Sequence, residues 1–290
     1  MSTHLLHSPP LPVLILAGGL ATRLRPITQT IPKSLVEVAG EPFVCRQLRY
    51  LKSQGIETVV ICIGYLGEMI REVIGDGARF GLQVLYVQDG EALNNPEDSR
   101  ISARAAHPAS ALEGTKLLGT GGAIKNALAK YPNELCKSSG MGEIGGTVGT
   151  GGAREASGAF FVLYGDSYLP TPFALVQSAF EASKLPALMT VLKNQNQWDK
   201  SNVLFDGKYL IEYNKTLPKP EMSHIDYGLS ILTPGVLDAY SLGERFDLAD
   251  VFHSASLKGQ LAGYEVFERF YEIGSHKGLQ EASDYFLKLK

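Results

Sequence analysis

The sequence predicts an α/β protein: a Rossmann-like, doubly wound and mostly parallel sheet with a smaller lobe of mixed strands. Residues 13–16 form a continuous apolar run, bounded by Pro12 and by Gly18-Gly19, that is typical of a strand buried on both faces. Helix and strand patterns then alternate along the first half, which is the signature of βαβ units. With 44% apolar and 20% charged residues, the composition is that of an ordinary globular protein.

The elements follow from apolar spacing and from the glycines and prolines that interrupt it. In the first half, the spacing predicts helices over 43–54, 66–74 and 122–130, and strands over 58–63, 82–87 and 160–163. In the second half, it predicts helices over 173–182, 247–258 and 278–289, a strand over 187–192, and short strands between 202 and 232 with a hairpin turn at Asp206-Gly207. Residues 89–114 and 138–158 are polar or glycine-rich and predict loop insertions. We expect one domain over 1–290, with two halves that meet near residue 170.

Charge and cysteine content exclude several classes of protein. The 27 Lys+Arg against 30 Asp+Glu give a net charge of −3, which does not indicate a nucleic-acid-binding surface. The three cysteines, Cys45, Cys62 and Cys136, lack metal-ligand spacing and favour a reducing compartment. The apolar stretch at 11–17 has no basic leader and is shorter than the ~20 residues of a membrane span. We therefore expect a cytoplasmic protein with no membrane partner.

A glycine loop directly follows the first predicted strand. Gly18 and Gly19 stand at the carboxyl end of that strand, where open α/β sheets bind ligands, and paired glycines let backbone N–H groups approach an anion. A simple tight turn explains the pair equally well. The loop is neither a Walker A motif nor a dinucleotide-binding motif, because it lacks the closing Lys-Ser/Thr and the third glycine.

Two cations make a phosphate site the favoured interpretation. Arg23 lies within the loop and Lys33 follows ten residues later, with Pro26 and Pro32 stiffening the chain between them. Each cation alone is typical of a solvated surface. Together with the glycine loop, a guanidinium and an ammonium predict a triphosphate-binding site.

Residues 16–35 resemble the signature of the sugar-1-phosphate nucleotidylyltransferases, a Gly-Gly-x-Gly-Thr-Arg-Leu loop with a downstream Pro-Lys. The resemblance extends over nearly the whole chain, and its nearest patterns are the heptose-1-phosphate guanylyltransferase and N-acetylmuramate-1-phosphate uridylyltransferase types. The later segments that carry it are Leu118-Gly119-Thr120-Gly121-Gly122-Ala123, Gly165-Asp166, Tyr213-Asn214-Lys215, Asp226-Tyr227-Gly228 and Tyr271-Glu272-Ile273-Gly274-Ser275.

The resemblance implies a role for each matching residue. It implies that the nucleotide is bound by Leu16, Ala17, Gly18, Gly19, Thr22, Gly119, Thr120, Gly121 and Gly122. It implies that Arg23, Lys33 and Asp166 are the catalytic residues, and that Asp166 and Glu272 bind Mg²⁺. The sugar phosphate would be bound by Asn202, Asn214, Lys215, Asp226 and Gly228. The halves 1–170 and 171–290 then become the nucleotide-binding and sugar-binding halves, the second of which includes the C-terminal helix.

The implied reaction joins a nucleoside triphosphate to a sugar 1-phosphate with release of pyrophosphate. These two substrates and Mg²⁺ are the expected partners, and self-association into a homo-oligomer stays open. A GDP-heptose product is favoured, with a UDP-sugar close behind. A catalytically weak, nucleotide-sugar-binding regulatory subunit of the same fold is the alternative. A Rossmann oxidoreductase fits less well, because the glycine pattern and the ribose-binding acid are missing.

Three residues depart from the family pattern. Ala21 stands where the family usually has glycine, which is tolerable only if its φ is negative. Asn214 replaces a usual Glu, which puts a sugar-hydroxyl contact in doubt. Glu272 replaces Asp at the expected second metal ligand, and its extra methylene requires a backbone adjustment.

Overall fold

A computed structural model describes residues 8–19, 21–64, 66–89, 117–136, 158–194 and 196–289. The two expected loop insertions lie outside the described residues, apart from their terminal residues Asp89 and Gly158.

The described chain contains the predicted helices and strands in order, together with several short elements and one strand near the C-terminus that the sequence did not predict. The strands are β1 (Val13–Ala17), β2 (Glu37–Val38), β3 (Glu41–Pro42), β4 (Thr58–Ile63), β5 (Gln83–Gln88), β6 (Phe160–Tyr164), β7 (Ser167–Tyr168), β8 (Ala187–Lys193), β9 (Val203–Phe205), β10 (Leu210–Tyr213), β11 (His224–Leu232), β12 (Leu261–Val266) and β13 (Tyr271–Glu272). The helices are α1 (Phe43–Ser53), α2 (Gly67–Ile74), α3 (Gly119–Lys130), α4 (Pro132–Leu135), α5 (Phe173–Ser183), α6 (Leu248–Leu257) and α7 (His276–Lys288). Within the described part of the chain, no helix is both long enough and apolar enough to cross a bilayer.

One sheet runs through both halves of the chain. Its order is β10-β9-β11-β6-β1-β4-β5, with β8 on β11 and β12 on β8. The portion β6-β1-β4-β5 is parallel, whereas β11 pairs antiparallel with β6 and β8. The second-half strands therefore extend the first-half sheet instead of building a separate one, so both halves of the chain contribute strands to one sheet.

Helices cover both faces of this sheet, because successive residues of β1 point to opposite faces and both sets are apolar. Val13 and Ile15 face a core shared with α1, α2 and α5, while Leu14 faces a second core shared with α3 and α6. A smaller third core lies under α7, where Phe286 packs with Phe43, Tyr168 and Ile273. Because the parallel strands end at the same edge, their carboxyl-terminal loops meet there.

Helix α3 begins three residues earlier than its apolar pattern predicts. Gly119 takes φ +75° and opens the helix. The N–H groups of Gly121 and Gly122 both donate to the Phe246 carbonyl, at 3.0 and 3.3 Å, and the N–H of Thr120 donates to Asp247 Oδ1 at 3.3 Å. A distant segment thus satisfies donors that the first turn of a helix leaves unpaired. Sequence spacing does not reveal such a partner.

Candidate functional site

Three loops meet at the carboxyl edge of the parallel strands. Gly18 follows β1, Gly165 follows β6, and the Gly165 N–H donates to the Leu16 carbonyl at 2.9 Å. A Cβ at Gly18 would lie 2.9 Å from Asp89 Oδ2, and one at Gly64 would lie 2.5 Å from the Gly18 carbonyl oxygen. Glycine at position 64 is therefore required by the close approach of the Gly18 backbone, whereas the space beside Gly18 is limited by the Asp89 side chain.

A cavity of about 280 Å³ opens at this edge. It is lined by Leu16, Ala17, Gly18, Gly19, Lys33, Ser34, Cys62, Asp89, Leu117, Gly119, Thr120, Ala123, Tyr164, Gly165, Asp166, Arg245 and Asp247. Six of the nine residues expected at the nucleotide line it, together with two of the three expected catalytic groups.

Lys33 and Asp166 both line the cavity and are in contact with each other. Lys33 Nζ donates to Asp166 Oδ2, and the two side chains are 21% and 18% exposed. Lys33 opens a short 3₁₀ turn over Lys33–Leu35 that follows extended Pro32, while Asp166 follows β6. Partial burial makes this a stronger ion pair than an open surface pair.

Arg23 and Glu272 complete the charged cluster around Asp166. A Cβ added to Gly274 would lie 3.3 Å from Arg23 Nη2, 3.7 Å from Asp166 Oδ2 and 3.8 Å from Glu272 Cδ. Glu272 is held there because β13 pairs with β7, Glu272 opposite Ser167, and because the Ile273 N–H donates to the Asp166 carbonyl at 2.9 Å. Gly274 leaves the centre of this cluster empty of side-chain atoms.

Glu272 is surrounded by charges of both signs. Burial, followed by the negative charge of Asp166, raises the pKa of Glu272, while Arg23 and Lys33 lower it. Two neighbouring carboxylates are a donor set that Mg²⁺ takes from a protein when phosphates supply further oxygens. Asp166 and Glu272 therefore fit the group. Within the described residues, no cluster of three or more His, Cys, Asp or Glu side chains could hold a metal alone.

Only some residues of the second glycine motif, residues 118–123, line the cavity. Gly119 and Thr120 line it, but Gly121 and Gly122 do not. A Cβ at Gly121 would lie 2.2 Å from Phe246 Cε2, so the absence of a side chain at this position lets the Phe246 ring pack against the helix. The N–H groups of Gly121 and Gly122 are engaged by the Phe246 carbonyl, which leaves both residues a packing role in this structure.

The expected sugar-phosphate residues form a second cluster. Asn202 Oδ1 accepts from the Asp226 N–H at 3.0 Å, and Asp226 Oδ1 accepts from the Gly228 N–H at 2.9 Å. The Asn214 N–H donates to the Asn202 carbonyl at 2.9 Å. Burial raises the pKa of Asp226 to about 6, against the smaller lowering effects of the Gly228 N–H and of the Lys215 ammonium. Asn202, Asn214, Lys215, Asp226 and Gly228 are therefore brought together.

Tyr164 lies between the two clusters and had no role assigned from the sequence. It lines the cavity, and a Cβ at Gly228 would lie 3.7 Å from Tyr164 Cδ2. Burial, together with the charges of Asp226, Asp166 and Asp247, raises its pKa. Its place in the sequence could have indicated this position, because Tyr164 ends β6 immediately before Gly165-Asp166. Asp89, Arg245 and Asp247 also line the cavity, and no motif in the sequence marks them.

Ala21 takes the conformation that its side chain disfavours. Its φ is +47°, in the left-handed region, so the condition under which alanine would be tolerated there is not met. The Ala21 carbonyl accepts from the Leu24 N–H at 3.2 Å and from Thr28 Oγ1 at 2.7 Å, which closes the turn. Thr22, expected at the nucleotide, begins the following 3₁₀ turn, Thr22–Leu24.

Comparison with known proteins shows what this arrangement is similar to. Residues 12–129 match the Nucleotidyl transferase family. A glucose-1-phosphate thymidylyltransferase of Streptomyces griseus is 45% identical over 80 residues, which is 28% of this chain and 22% of the relative. A D-glycero-α-D-manno-heptose 1-phosphate guanylyltransferase of Campylobacter jejuni is 24% identical over 262 residues, 90% of this chain and 93% of the relative. The match thus spans less than a quarter of the thymidylyltransferase and nearly all of the guanylyltransferase.

A solved structure supports the fold. The crystal structure of HddC from Yersinia pseudotuberculosis complexed with GMP-PN superposes with a TM-score of 0.63 at 21% identity, over 95% of this chain and 99% of that chain. At this identity the likeness shows the fold alone: a mixed α/β architecture around a central sheet with a parallel core, as predicted.

Proposed function

We propose that this chain, whose residues 12–129 match the Nucleotidyl transferase family, transfers a nucleoside monophosphate from a nucleoside triphosphate to a sugar 1-phosphate. The products are an NDP-sugar and pyrophosphate. The observation that carries the proposal is the contact of Lys33 with Asp166 in the lining of a glycine-containing cavity, beside Arg23 and Glu272.

The reaction requires charge neutralisation and alignment more than proton transfer. A sugar 1-phosphate oxygen attacks the α-phosphorus, the bond from that phosphorus to the β-phosphate bridging oxygen breaks, and pyrophosphate leaves. The nucleophile is already an anion near neutral pH, so no general base is needed. Catalysis then rests on holding two polyanions in line and stabilising the charge that develops between them.

Each cation has a place in this scheme. Lys33 faces the cavity beside the glycine loop and would bind the α-phosphate, while Arg23, on the loop itself, would bind the β- and γ-phosphates. Lys215, near Asp226 in the second cluster, would bind the phosphate of the sugar. Asp166 and Glu272 would hold Mg²⁺, which supplies neutralisation of phosphate charge when bound.

A GDP-heptose product is favoured, and a UDP-sugar product is the next candidate. The full-length similarity to a heptose 1-phosphate guanylyltransferase, and the fold shared with a protein crystallised with GMP-PN, support guanine and a heptose. Both substrates are soluble metabolites, which agrees with the cytoplasm as the expected location.

Pyrophosphate release tests the proposal. Purified protein with Mg²⁺ is assayed with GTP, UTP, CTP, ATP and dTTP against heptose, mannose, glucose, N-acetylglucosamine and N-acetylmuramate 1-phosphates. Release that requires one nucleotide and one sugar together supports the transferase and identifies both substrates. Lys33→Ala and Asp166→Asn, assayed in parallel, show whether the release comes from this site.

A nucleotide-sugar-binding regulatory subunit is the second candidate. The left-handed Ala21 favours it, because strain in the phosphate loop disturbs the backbone that would meet the triphosphate. If no combination of nucleotide and sugar 1-phosphate releases pyrophosphate, while calorimetry still shows nucleotide binding, the result would favour this candidate.

A further inference from the structure

Arg245 reaches the nucleotide cavity from the second half of the chain. It precedes α6 by three residues and lines the cavity together with the glycine loop of β1. It belongs to none of the segments that carry the sequence resemblance.

The backbone on both sides of Arg245 is fixed. The Phe246 N–H donates to the Leu118 carbonyl at 3.0 Å, and the Phe246 carbonyl accepts from Gly121 and Gly122. The Phe246 ring stacks on Tyr240 with centroids 3.9 Å apart and planes 9° apart, and Glu244 Oε2 accepts from the Ser241 N–H at 2.7 Å. The loop therefore presents the Arg245 guanidinium from a rigid base.

A carboxylate lines the same cavity and is largely withdrawn from water. Asp89 is 8% exposed, and its Oδ1 accepts a backbone hydrogen bond from the Leu118 N–H at 3.3 Å. Its Oδ2 lies against Gly18, at the β1 side of the cavity. Within the described part of the chain, Arg245 has no carboxylate within 4.0 Å, so Asp89 and Arg245 do not neutralise each other.

We propose that Asp89 and Arg245 together recognise a guanine base, a proposal that rests on the proposed nucleotidyl transfer. Guanine carries two adjacent donors, N1–H and N2–H, next to two adjacent acceptors, O6 and N7. A carboxylate accepts from the donors, and a guanidinium donates in bidentate fashion to O6 and N7. Both side chains line one cavity without pairing with each other, so both are available to a base bound there.

The other bases match this pair less well. Adenine and cytosine place a ring-nitrogen acceptor beside their amino group, which repels the Asp89 carboxylate. Uracil and thymine flank their one N–H with two carbonyl oxygens, so a carboxylate gains one bond and meets two repulsive neighbours. Guanine satisfies both side chains at once, and a buried polar group left unpaired by another base is costly.

Nucleotide selectivity is the decisive readout. Binding of GDP, ADP, UDP and CDP is measured by calorimetry, and kcat/KM is measured for the corresponding triphosphates, in the parent and in Arg245→Gln, Arg245→Lys and Asp89→Asn. We expect Arg245→Gln and Asp89→Asn each to weaken GDP binding by about 10- to 100-fold while the other diphosphates change less than threefold. Arg245→Lys should not restore the guanine preference, because an ammonium cannot donate in bidentate fashion.

Arg71→Gln is the matched control. Arg71 is an exposed arginine of α2 that pairs with Glu68 at 3.5 Å, outside the cavity, and its loss should leave GDP binding unchanged. Thermal melting reports whether Asp89→Asn folds. Arg245 is exposed, so Arg245→Gln provides the test even if Asp89→Asn does not fold.

The outcomes separate this inference from the proposed function. An equal loss for all four diphosphates in Arg245→Gln would make Arg245 a phosphate contact and overturn guanine recognition. A parent that prefers UDP or ADP would overturn it as well. Guanine-selective binding that Arg245→Gln abolishes, without turnover of any sugar 1-phosphate, would support the inference and reject the transferase.

Discussion

Lys33 Nζ contacts Asp166 Oδ2 although 133 residues of chain separate the two. The contact joins a short turn after the glycine loop to the end of β6, a strand that lies beside β1 in the sheet. An ammonium that neutralises a carboxylate in the free protein would be available to phosphate oxygens once another cation took its place on Asp166. Under the proposed function, the pair would therefore couple triphosphate binding to metal binding.

Asp166→Asn should remove most of the turnover. The amide keeps the shape of the side chain but loses the negative charge that would hold Mg²⁺ and that pairs with Lys33. We expect kcat to fall by at least a hundredfold in the pyrophosphate-release assay, with nucleotide binding measured separately by calorimetry. Activity within twofold of the parent would remove Asp166 from the site.

Lys33→Ala should lower kcat more than it raises KM. In the proposed reaction the ammonium would stabilise charge that builds up on the α-phosphate in the transition state, so its loss would cost more there than in the ground state. Initial rates over a range of triphosphate concentrations separate the two constants. A change confined to KM would assign Lys33 to substrate binding alone.

Ala21→Gly should stabilise the protein. Alanine at φ +47° carries a left-handed penalty of roughly 1 kcal/mol that glycine avoids, although part of the gain is offset by the greater freedom of glycine in the unfolded chain. Chemical denaturation measures the difference. Ala174→Gly, on the exposed face of α5, is the control and should destabilise by about 1 kcal/mol, since glycine disfavours a helix.

Gly121→Ala should destabilise the protein, because its Cβ would lie 2.2 Å from the Phe246 ring. The cost should shrink when Phe246→Ala is also present, so a double-mutant cycle measured by thermal melting identifies the clash. Gly19→Ala is the contrast: nothing lies within 4 Å of that Cβ, and the melting temperature should stay unchanged. A Gly121→Ala protein as stable as the parent would contradict the packing role.

Asp226→Asn should stabilise the protein above pH 6 and have little effect at pH 4. Burial raises the folded-state pKa of Asp226 to about 6, above the unfolded value of about 3.9. The folded state therefore binds the extra proton between these values, and the parent loses stability as pH rises through that window. The amide oxygen can still accept from the Gly228 N–H, and we expect a gain of roughly 1 kcal/mol at pH 7.5.

Denaturation of parent and variant at pH 4, 5, 6 and 7.5 measures the Asp226→Asn effect. Asp238→Asn, at an exposed position, is the control and should show no such trend. A gain that is the same at every pH would show that the carboxylate charge is not its cause.

Local pattern alone predicted the fold class and most of the helices and longer strands, but not β12 or the short elements β2, β3, β7, β13 and α4. The apolar run of β1 and the helical spacing of α1 (Phe43–Ser53) and α5 (Phe173–Ser183) predicted these elements within one or two residues, because burial on a sheet or a helix face imposes a period on the sequence. The meeting of the β1 glycine loop and Asp166 at one cavity was likewise predictable, because strand ends of a parallel sheet share one edge.

Only the tertiary structure decided how distant residues divide their roles. Gly121 and Gly122 look like nucleotide-binding glycines in the sequence, yet their N–H groups meet the Phe246 carbonyl from more than a hundred residues away. Asp89 and Arg245 have no motif, and they reach one cavity because a sheet brings together strands that are far apart in the chain. The sign of φ at Ala21 was undetermined for the same reason: periodicity reports burial, whereas loop dihedrals and cavity walls depend on which remote segments pack against them.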